Sequence, residues 1–388
     1  MNRGAIAEIN LSAIAHNLKT VRRIAKNRPV IAVVKADAYG HGAVEVSKRL
    51  VEEGVSYLAV AYTGEAVELR KAGISVPIIV LFDRGDINDF FDFKLIPVVY
   101  NIDAALALSG AARERGTIIQ IHVKVDTGMG RLGLNGNHIT NDLIKIVEMD
   151  GIELTGLMSH FSDADLSDRS YAALQLDRFN KIRETVSKRL NRKIFSHMAN
   201  SAAVLTFEDA HLDAVRPGLM LYGYSPFSNS KEQRAKSKER RNNITELQTP
   251  KSEPLNLIPA MKVKTRILCI RNLPSGSPIS YGRTFITKRQ SRIGVLPIGY
   301  ADGYSRLFSN NAEVLVKGRQ VPVVGRICMD LTMIDLTDVK DIREDDEVVI
   351  LGQQGEESIT AHELAHRAKT IPYEILTSLG SRSKKEYV

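Results

Sequence analysis

The first residue with chemistry in it is a lysine that ends an apolar run. Val30–Val34 leads into Lys35, and Ala36-Asp37-Ala38-Tyr39-Gly40-His41-Gly42 follows. A lysine in a partly dry pocket binds its proton less tightly, and its neutral amine can form a Schiff base. Gly40 and Gly42 let the backbone turn sharply into the next segment. Alone, Lys35 reads more readily as a surface cap on a strand, because lysines are mostly exposed.

Further polar residues end other apolar runs. Lys124 lies in Ile118–Asp126, and Thr127-Gly128-Met129-Gly130-Arg131-Leu132-Gly133 comes next. Its glycines satisfy a dinucleotide fingerprint, but a lone match is weak, and here it follows the fifth run rather than the first. A planar guanidinium such as Arg131 can bind two oxygens at once. His160 ends Leu157-Met158-Ser159, and Ser201 follows His197-Met198-Ala199-Asn200. A single histidine at a strand end is more often structural. Arg216-Pro217-Gly218 ends another run, and Arg216 reads equally as a rim charge in an ion pair. Tyr281 and Met329-Asp330, much later, read by composition as packing residues.

The elements that must position these residues change character along the chain. Val30–Lys35, Tyr57–Ala61, Pro77–Phe82, Pro97–Tyr100, Ile118–Asp126, Leu154–His160, Ile194–His197 and Ala214–Pro217 are short and mostly continuously apolar. Strands buried on both faces read this way. Amphipathic segments separate them, such as Ala43–Glu53, Ala104–Arg115 and Ser170–Leu190. Eight strands alternating with helices predict a (β/α)8 TIM-type barrel over 10–227, with its chemistry at the C-terminal strand ends. A doubly wound sheet shares the alternation and differs in strand count. Beyond a polar, basic insertion at 228–256, the segment 257–388 reads as a mostly β domain, with only Thr360–Lys369 helical.

Composition narrows the class. The formal charge is +8, but it collects in the insertion and at the tail residues Arg382, Lys384 and Lys385, without interleaved aromatics. That describes solvated segments rather than a nucleic-acid face. Two cysteines in 388 residues do not make a disulfide scaffold and fit a reduced cytoplasm. No apolar stretch is long enough to span a membrane, and no secretory signal opens the chain. Nothing in the pattern calls for a metal.

The strings around Lys35, Arg131, His160, Ser201, Arg216, Tyr281 and Met329 together resemble those of the alanine racemases. The likeness spans nearly the whole chain, in order, and includes the opening Asn10–Leu18. It implies a pyridoxal-phosphate (PLP) enzyme that interconverts L- and D-alanine and supplies D-alanine for peptidoglycan. By that resemblance Lys35 holds the cofactor, and Tyr281 is the second base, reaching into a partner subunit's site in a homodimer. Arg131 binds the cofactor's phenolic oxygen and the substrate carboxylate, and Lys124, carbamylated in many members, braces it. His160 lies beside the cofactor ring, and Arg216 faces the pyridine nitrogen. Tyr39, Ser201, Gly218 and Tyr373 hold the cofactor, the latter three at its phosphate. The Met329 backbone, with Asp330 beside it, meets the substrate carboxylate, and Tyr300 belongs to a segment lining the entry channel. The first nine residues then pair with the β domain. Three rival readings remain. A single-barrel PLP carrier would lack the β domain, a barrel decarboxylase would place a carboxylate rather than Arg216 at the pyridine nitrogen, and a broader amino-acid racemase differs by a few pocket atoms.

Overall fold

The computed structural model describes residues 4–83, 85–227 and 255–388. The expected insertion at 228–256 lies outside the described residues, apart from its last two positions.

The chain starts in the sheet where it ends. Strand β1 (Ile6–Ile9) pairs antiparallel with β9 (Met261–Arg266) and parallel with β19 (Lys384–Tyr387). Its alternation explains the placement: Ala7 and Ile9 face the core, while Glu8 turns toward Lys262 and Lys264. The tail read from sequence as solvated is therefore an edge strand. Its lysines lie at half-buried or exposed sheet positions, and Lys385 pairs with Asp37 at 2.8 Å.

The barrel follows. Strands β2 (Ile31–Val33), β3 (Tyr57–Val60), β4 (Ile78–Val80), β5 (Ile96–Val99), β6 (Ile119–Lys124), β7 (Ile152–Met158) and β8 (Ser196–His197) form a parallel sheet in sequence order. The eighth segment closes it through bridges Val30↔Val215 and His197↔Ala214. Ile31 N–H donates to Val215 O at 2.9 Å and Val33 N–H to Pro217 O at 3.1 Å. β2 and β4 are buried throughout, because one face meets the barrel interior and the other the surrounding helices. Each βα pair brings a strand's C-terminal end to the same rim, so Lys35, Lys124, His160, Ser201 and Arg216 converge there although they are far apart in sequence.

The second domain has three sheets. The first runs β15 (Arg319–Pro322), β14 (Glu313–Val316), β17 (Glu347–Gln354), β9, β1, β19, with β18 (Glu357–Ile359) on β17. The second is β10 (Cys269–Leu273), β13 (Ser291–Leu296) and β16 (Thr332–Asp335). The third is the hairpin β11 (Pro278–Ile279) and β12 (Phe285–Ile286), with Tyr281 near its tip. Helix Pro372–Arg382, not foreseen from sequence beside Ala361–Ala368, returns to the barrel rim and carries Tyr373 there. Pro372 sits in its first turn, where a missing N–H costs no helix bond.

One buried side chain ties the barrel to the incoming second domain. Asn17 is 0% exposed. Its amide donates to Leu221 O at 3.0 Å and Ile258 O at 2.8 Å and accepts from Ile258 N at 2.9 Å. Asn17→Ala removes the partner of the buried Leu221 carbonyl and of the part-buried Ile258 carbonyl and N–H. Denaturant unfolding should show a stability loss on the order of 2 kcal/mol. A midpoint equal to that of the unaltered chain would refute this role.

Candidate active site

A cavity of ≈ 640 Å³ opens at the rim, lined among others by Lys35, Tyr39, Lys124, Arg131, His160, Ser201, Arg216, Gly218 and Tyr373. Nine sequence-predicted residues thus meet in one place. Among the described residues Glu374 is the only acidic lining residue, against two arginines and two lysines, so the cavity suits an anionic guest.

Lys35 leaves β2 in a left-handed turn. Ala36, Asp37, Ala38 and Tyr39 have φ of 52°, 53°, 53° and 55°. Each costs roughly 1–2 kcal/mol for an L-residue, so the surroundings must impose the turn. The Lys35 amine is pulled below its usual range by burial and then by Arg131, with Glu65 opposing. That favours the neutral, nucleophilic form.

Arg131 projects from a loop organised by Asp126. The carboxylate accepts from the N–H groups of Gly128 (2.8 Å), Met129 (2.8 Å), Gly130 (3.2 Å) and Arg131 (3.1 Å). These bonds keep Asp126 ionised below the ordinary range despite partial burial. Tyr171 and Arg178 take the loop's outward carbonyls, Gly128 O at 2.9 Å and Thr127 O at 3.1 Å. A Cβ on Gly133 would sit 2.5 Å from Asp126 N, so the returning strand passes too closely for another residue. Lys124 is 4% exposed, and burial, Arg131 and Arg216 push it down to about 8.

Arg216 is 5% exposed, and both of its terminal nitrogens are hydrogen-bonded. It donates to the carbonyl oxygens of His197 (2.6 Å), Ser159 (2.6 Å) and Met198 (3.2 Å) and to His197 Nδ1 at 2.6 Å. Burial lowers it to about 9, still cationic at neutral pH. Because His197 Nδ1 accepts from Arg216, its Nε2–H donates to His122 Nδ1 at 2.9 Å. His160 Nδ1 lies 3.4 Å from the same guanidinium and is held neutral by burial and then by Arg216. Accepting at Nδ1 leaves the Nε2–H as its donor.

Ser201 Oγ accepts from Gly218 N at 3.0 Å and Met220 N at 3.4 Å, which leaves its own proton free to donate. A Cβ on Gly218 would stand 2.5 Å from Tyr39 Oη, so only glycine lets Tyr39 lie there. Burial raises the Tyr39 phenol, and Tyr373 is pushed up to about 12, so both remain protonated donors.

Tyr281, Tyr300, Met329 and Asp330 do not line this cavity. Tyr281 is 69% exposed, and Tyr300 and Met329 are exposed as well. Their loops form one face of the β domain: Ser280 Oγ donates to Arg326 O at 2.5 Å, and Tyr300 N to Cys328 O at 3.1 Å. Sequence reasoning gave no role to Glu65, His122 or Tyr222, and quoted Asp126 only as part of a motif. An acidic residue directly before a glycine-rich string, as in Asp126-Thr127-Gly128, signals a side chain that caps its own loop. Glu65, His122 and Tyr222 carry no local signal of that kind.

The buried histidines set an acid limit. Burial pushes His41 down to about 4 and His122 to about 3, against ≈ 6.5 in an unfolded chain. Below pH ≈ 6.5 the unfolded chain takes up these protons first, so stability is intact above that pH and falls as pH drops toward 4. His41 alone contributes about 3 kcal/mol to this loss. Melting temperature measured from pH 7 to 4 should decline steadily, and a flat profile would refute the assignment.

The fold and cavity define a two-domain α/β-barrel protein whose rim cavity gathers a strand-end lysine, two arginines and several hydroxyl donors. Residues 9–226 match the family description "Alanine racemase, N-terminal domain", and residues 260–387 match "Alanine racemase, C-terminal domain". The chain belongs to the alanine racemase family. It is 48% identical over 392 residues to the alanine racemase of Thermodesulfovibrio yellowstonii, covering 100% of this chain and 99% of the relative. Alanine racemase from Clostridium difficile 630 superposes with a TM-score of 0.88 at 35% identity, over 99% of this chain and 96% of the other. Alanine racemase from Bartonella henselae, solved with covalently bound pyridoxal phosphate, gives a TM-score of 0.84 at 28% identity over 99% of each chain. Among the described residues no helix is long and apolar enough to cross a membrane.

Proposed function

We propose that this chain interconverts L- and D-alanine with PLP held by Lys35, and so supplies D-alanine for peptidoglycan. The observation that carries the reading is the convergence of a lysine whose proton is loosened by burial, two arginines and a set of hydroxyl donors on one rim cavity. The residues fit the cofactor: Lys35 matches its aldehyde, and the free Ser201 proton, the Gly218 backbone and the Tyr39 and Tyr373 hydroxyls match its phosphate. Bound there, the cofactor acidifies the α-hydrogen of an amino acid joined to it.

The chain's own residues then do the rest. Lys35 takes or gives a proton on one face of the α-carbon. Arg131 grips the carboxylate with a planar fork. Arg216 presents a cation, which cannot accept a proton, to the ring nitrogen, so that nitrogen stays unprotonated and electron withdrawal stays moderate.

Tyr281 serves as base on the opposite face, from a second copy of the chain. Its exposure, its absence from its own cavity's lining and the braced loops beside it support this arrangement. A phenol titrates near 10 and needs help to act as a base, and the His160 Nε2–H, backed by Arg216, is the donor that would stabilise its anion. Met329 and Asp330 approach the substrate carboxylate, and Tyr300 the entrance, from that same second copy.

Lys124 is poised to add CO2. Its neutral amine forms an N–C bond and releases a proton, which replaces a cation with an anion beside Arg131. Native mass spectrometry should find one added CO2, lost at acid pH and absent in Lys124→Ala. An unmodified lysine at pH 8 in bicarbonate would refute this.

The deciding experiment is D-alanine production from L-alanine by the cofactor-loaded protein. A bright-yellow protein that makes none would favour a carrier role or another amino acid.

A further inference from the structure

The left-handed turn that launches Lys35 and Tyr39 needs an external mould, because none of Ala36 to Tyr39 is glycine. The structure shows one on each side. On the inner side His41, 0% exposed, points Nδ1 at the carbonyls of Ala38 (3.0 Å) and Tyr39 (3.1 Å). Two carbonyl partners require that nitrogen to carry the proton, so His41 is a neutral donor that gathers two oxygens of the turn. Its ring lies 4.5 Å from Tyr222, which lies 4.8 Å from Tyr39, itself 5.7 Å from Tyr373. This aromatic column runs from His41 to the cavity wall. Tyr222 also donates its hydroxyl to Val33 O at 2.8 Å, on the strand that carries Lys35.

On the outer side Glu65 accepts from Ala36 N at 2.6 Å with one oxygen. Its other oxygen accepts from Ala61 N at 2.7 Å and Tyr62 N at 3.1 Å. It therefore fastens the start of the turn to the end of the neighbouring strand β3.

We propose that His41 and Glu65 are positioning residues that mould the left-handed turn 36–39, so that the Lys35 amine and the Tyr39 hydroxyl address the same cavity. Neither touches the reacting atoms. The inference rests on the reading that Lys35 binds PLP, but not on the substrate being alanine.

The test uses two variants that keep packing and vary the donor. His41→Phe keeps a ring against Tyr222 and removes the N–H, whereas His41→Asn keeps an N–H donor near the same carbonyls. In the cofactor-free chain, hydrogen exchange over residues 34–42 should accelerate in His41→Phe and return toward normal in His41→Asn. In the loaded chain the visible absorbance of the Lys35–cofactor bond should shift in His41→Phe. Its kcat should fall about 10- to 100-fold with a smaller change in KM, as expected for misplaced rather than missing groups. Glu65→Gln, at a half-buried rim position, loosens the turn from its other end and covers the case in which His41→Phe does not fold. Wild-type exchange, absorbance and kcat in the folded variants would overturn the proposal. So would a His41→Asn protein as impaired as His41→Phe. If the unaltered protein makes no D-alanine, the alanine reading fails while exchange and absorbance still decide this one.

Discussion

Lys35→Ala is expected to abolish D-alanine formation, a loss of about 10⁴-fold or more. Two functions disappear at once. The covalent anchor goes, and so does one of the two bases facing the α-carbon. The residue is not a structural support: burial and Arg131 make its amine hold its proton less tightly, an arrangement that costs stability rather than adding to it. The variant should therefore fold normally. Borohydride treatment should leave no cofactor joined to the chain. Lys124, also on the cavity, is the built-in control. If Lys35→Ala still gives a reduced, covalently labelled protein, the label maps to Lys124 or elsewhere, and the anchor has been assigned to the wrong strand.

Tyr281→Phe is expected to lower racemization about 10²–10⁴-fold while leaving cofactor binding intact. The loss in kcat/KM must be equal in the two directions, because the equilibrium between enantiomers does not depend on the enzyme. The informative readout is α-hydrogen exchange with deuterated water. With Lys35 still present, D-alanine should go on exchanging without inversion, while L-alanine should not. Exchange from both enantiomers, or undiminished racemization, would remove Tyr281 from the mechanism. Tyr281 is 69% exposed and does not line its own cavity, which favours a role in the site of a second chain. Mixing inactive Lys35→Ala and Tyr281→Phe proteins should then restore activity. In a random mixture half of the dimers carry one intact site each, so about a quarter of the wild-type activity should return. No recovery after verified subunit exchange would place Tyr281 in its own chain's site.

These effects depend on features that differ in how visible they were. The barrel strands were legible because a parallel strand buried on both faces must be apolar throughout. Ile31–Val33 and Ile78–Val80 could hardly read otherwise. The polar residues that end such runs were legible as candidates, since a charge directly after a buried strand needs a reason. Their roles came only with the resemblance to a family. Helix Pro372–Arg382 and strand Lys384–Tyr387 escaped notice. The lysines at the end of the chain look solvated until a partner strand and Asp37 are in place.

What the amino-acid order determined by itself was therefore the class of each segment and the set of reactive side chains, because burial dictates polarity residue by residue. Three things were decided by tertiary structure alone. The left-handed turn of Ala36 to Tyr39 runs against local preference, and it exists because His41, Glu65 and the aromatic column outweigh that preference from outside. The lowered proton affinities of Lys35, Lys124 and His160 follow from desolvation and from cations brought close by closing the barrel. The separation of Tyr281 from its own cavity follows from where the β domain sits. The turn depends on Glu65 and the aromatic column as well as on nearby His41, and the other two depend on groups far apart along the chain, so no single window of sequence contains all the forces that set them.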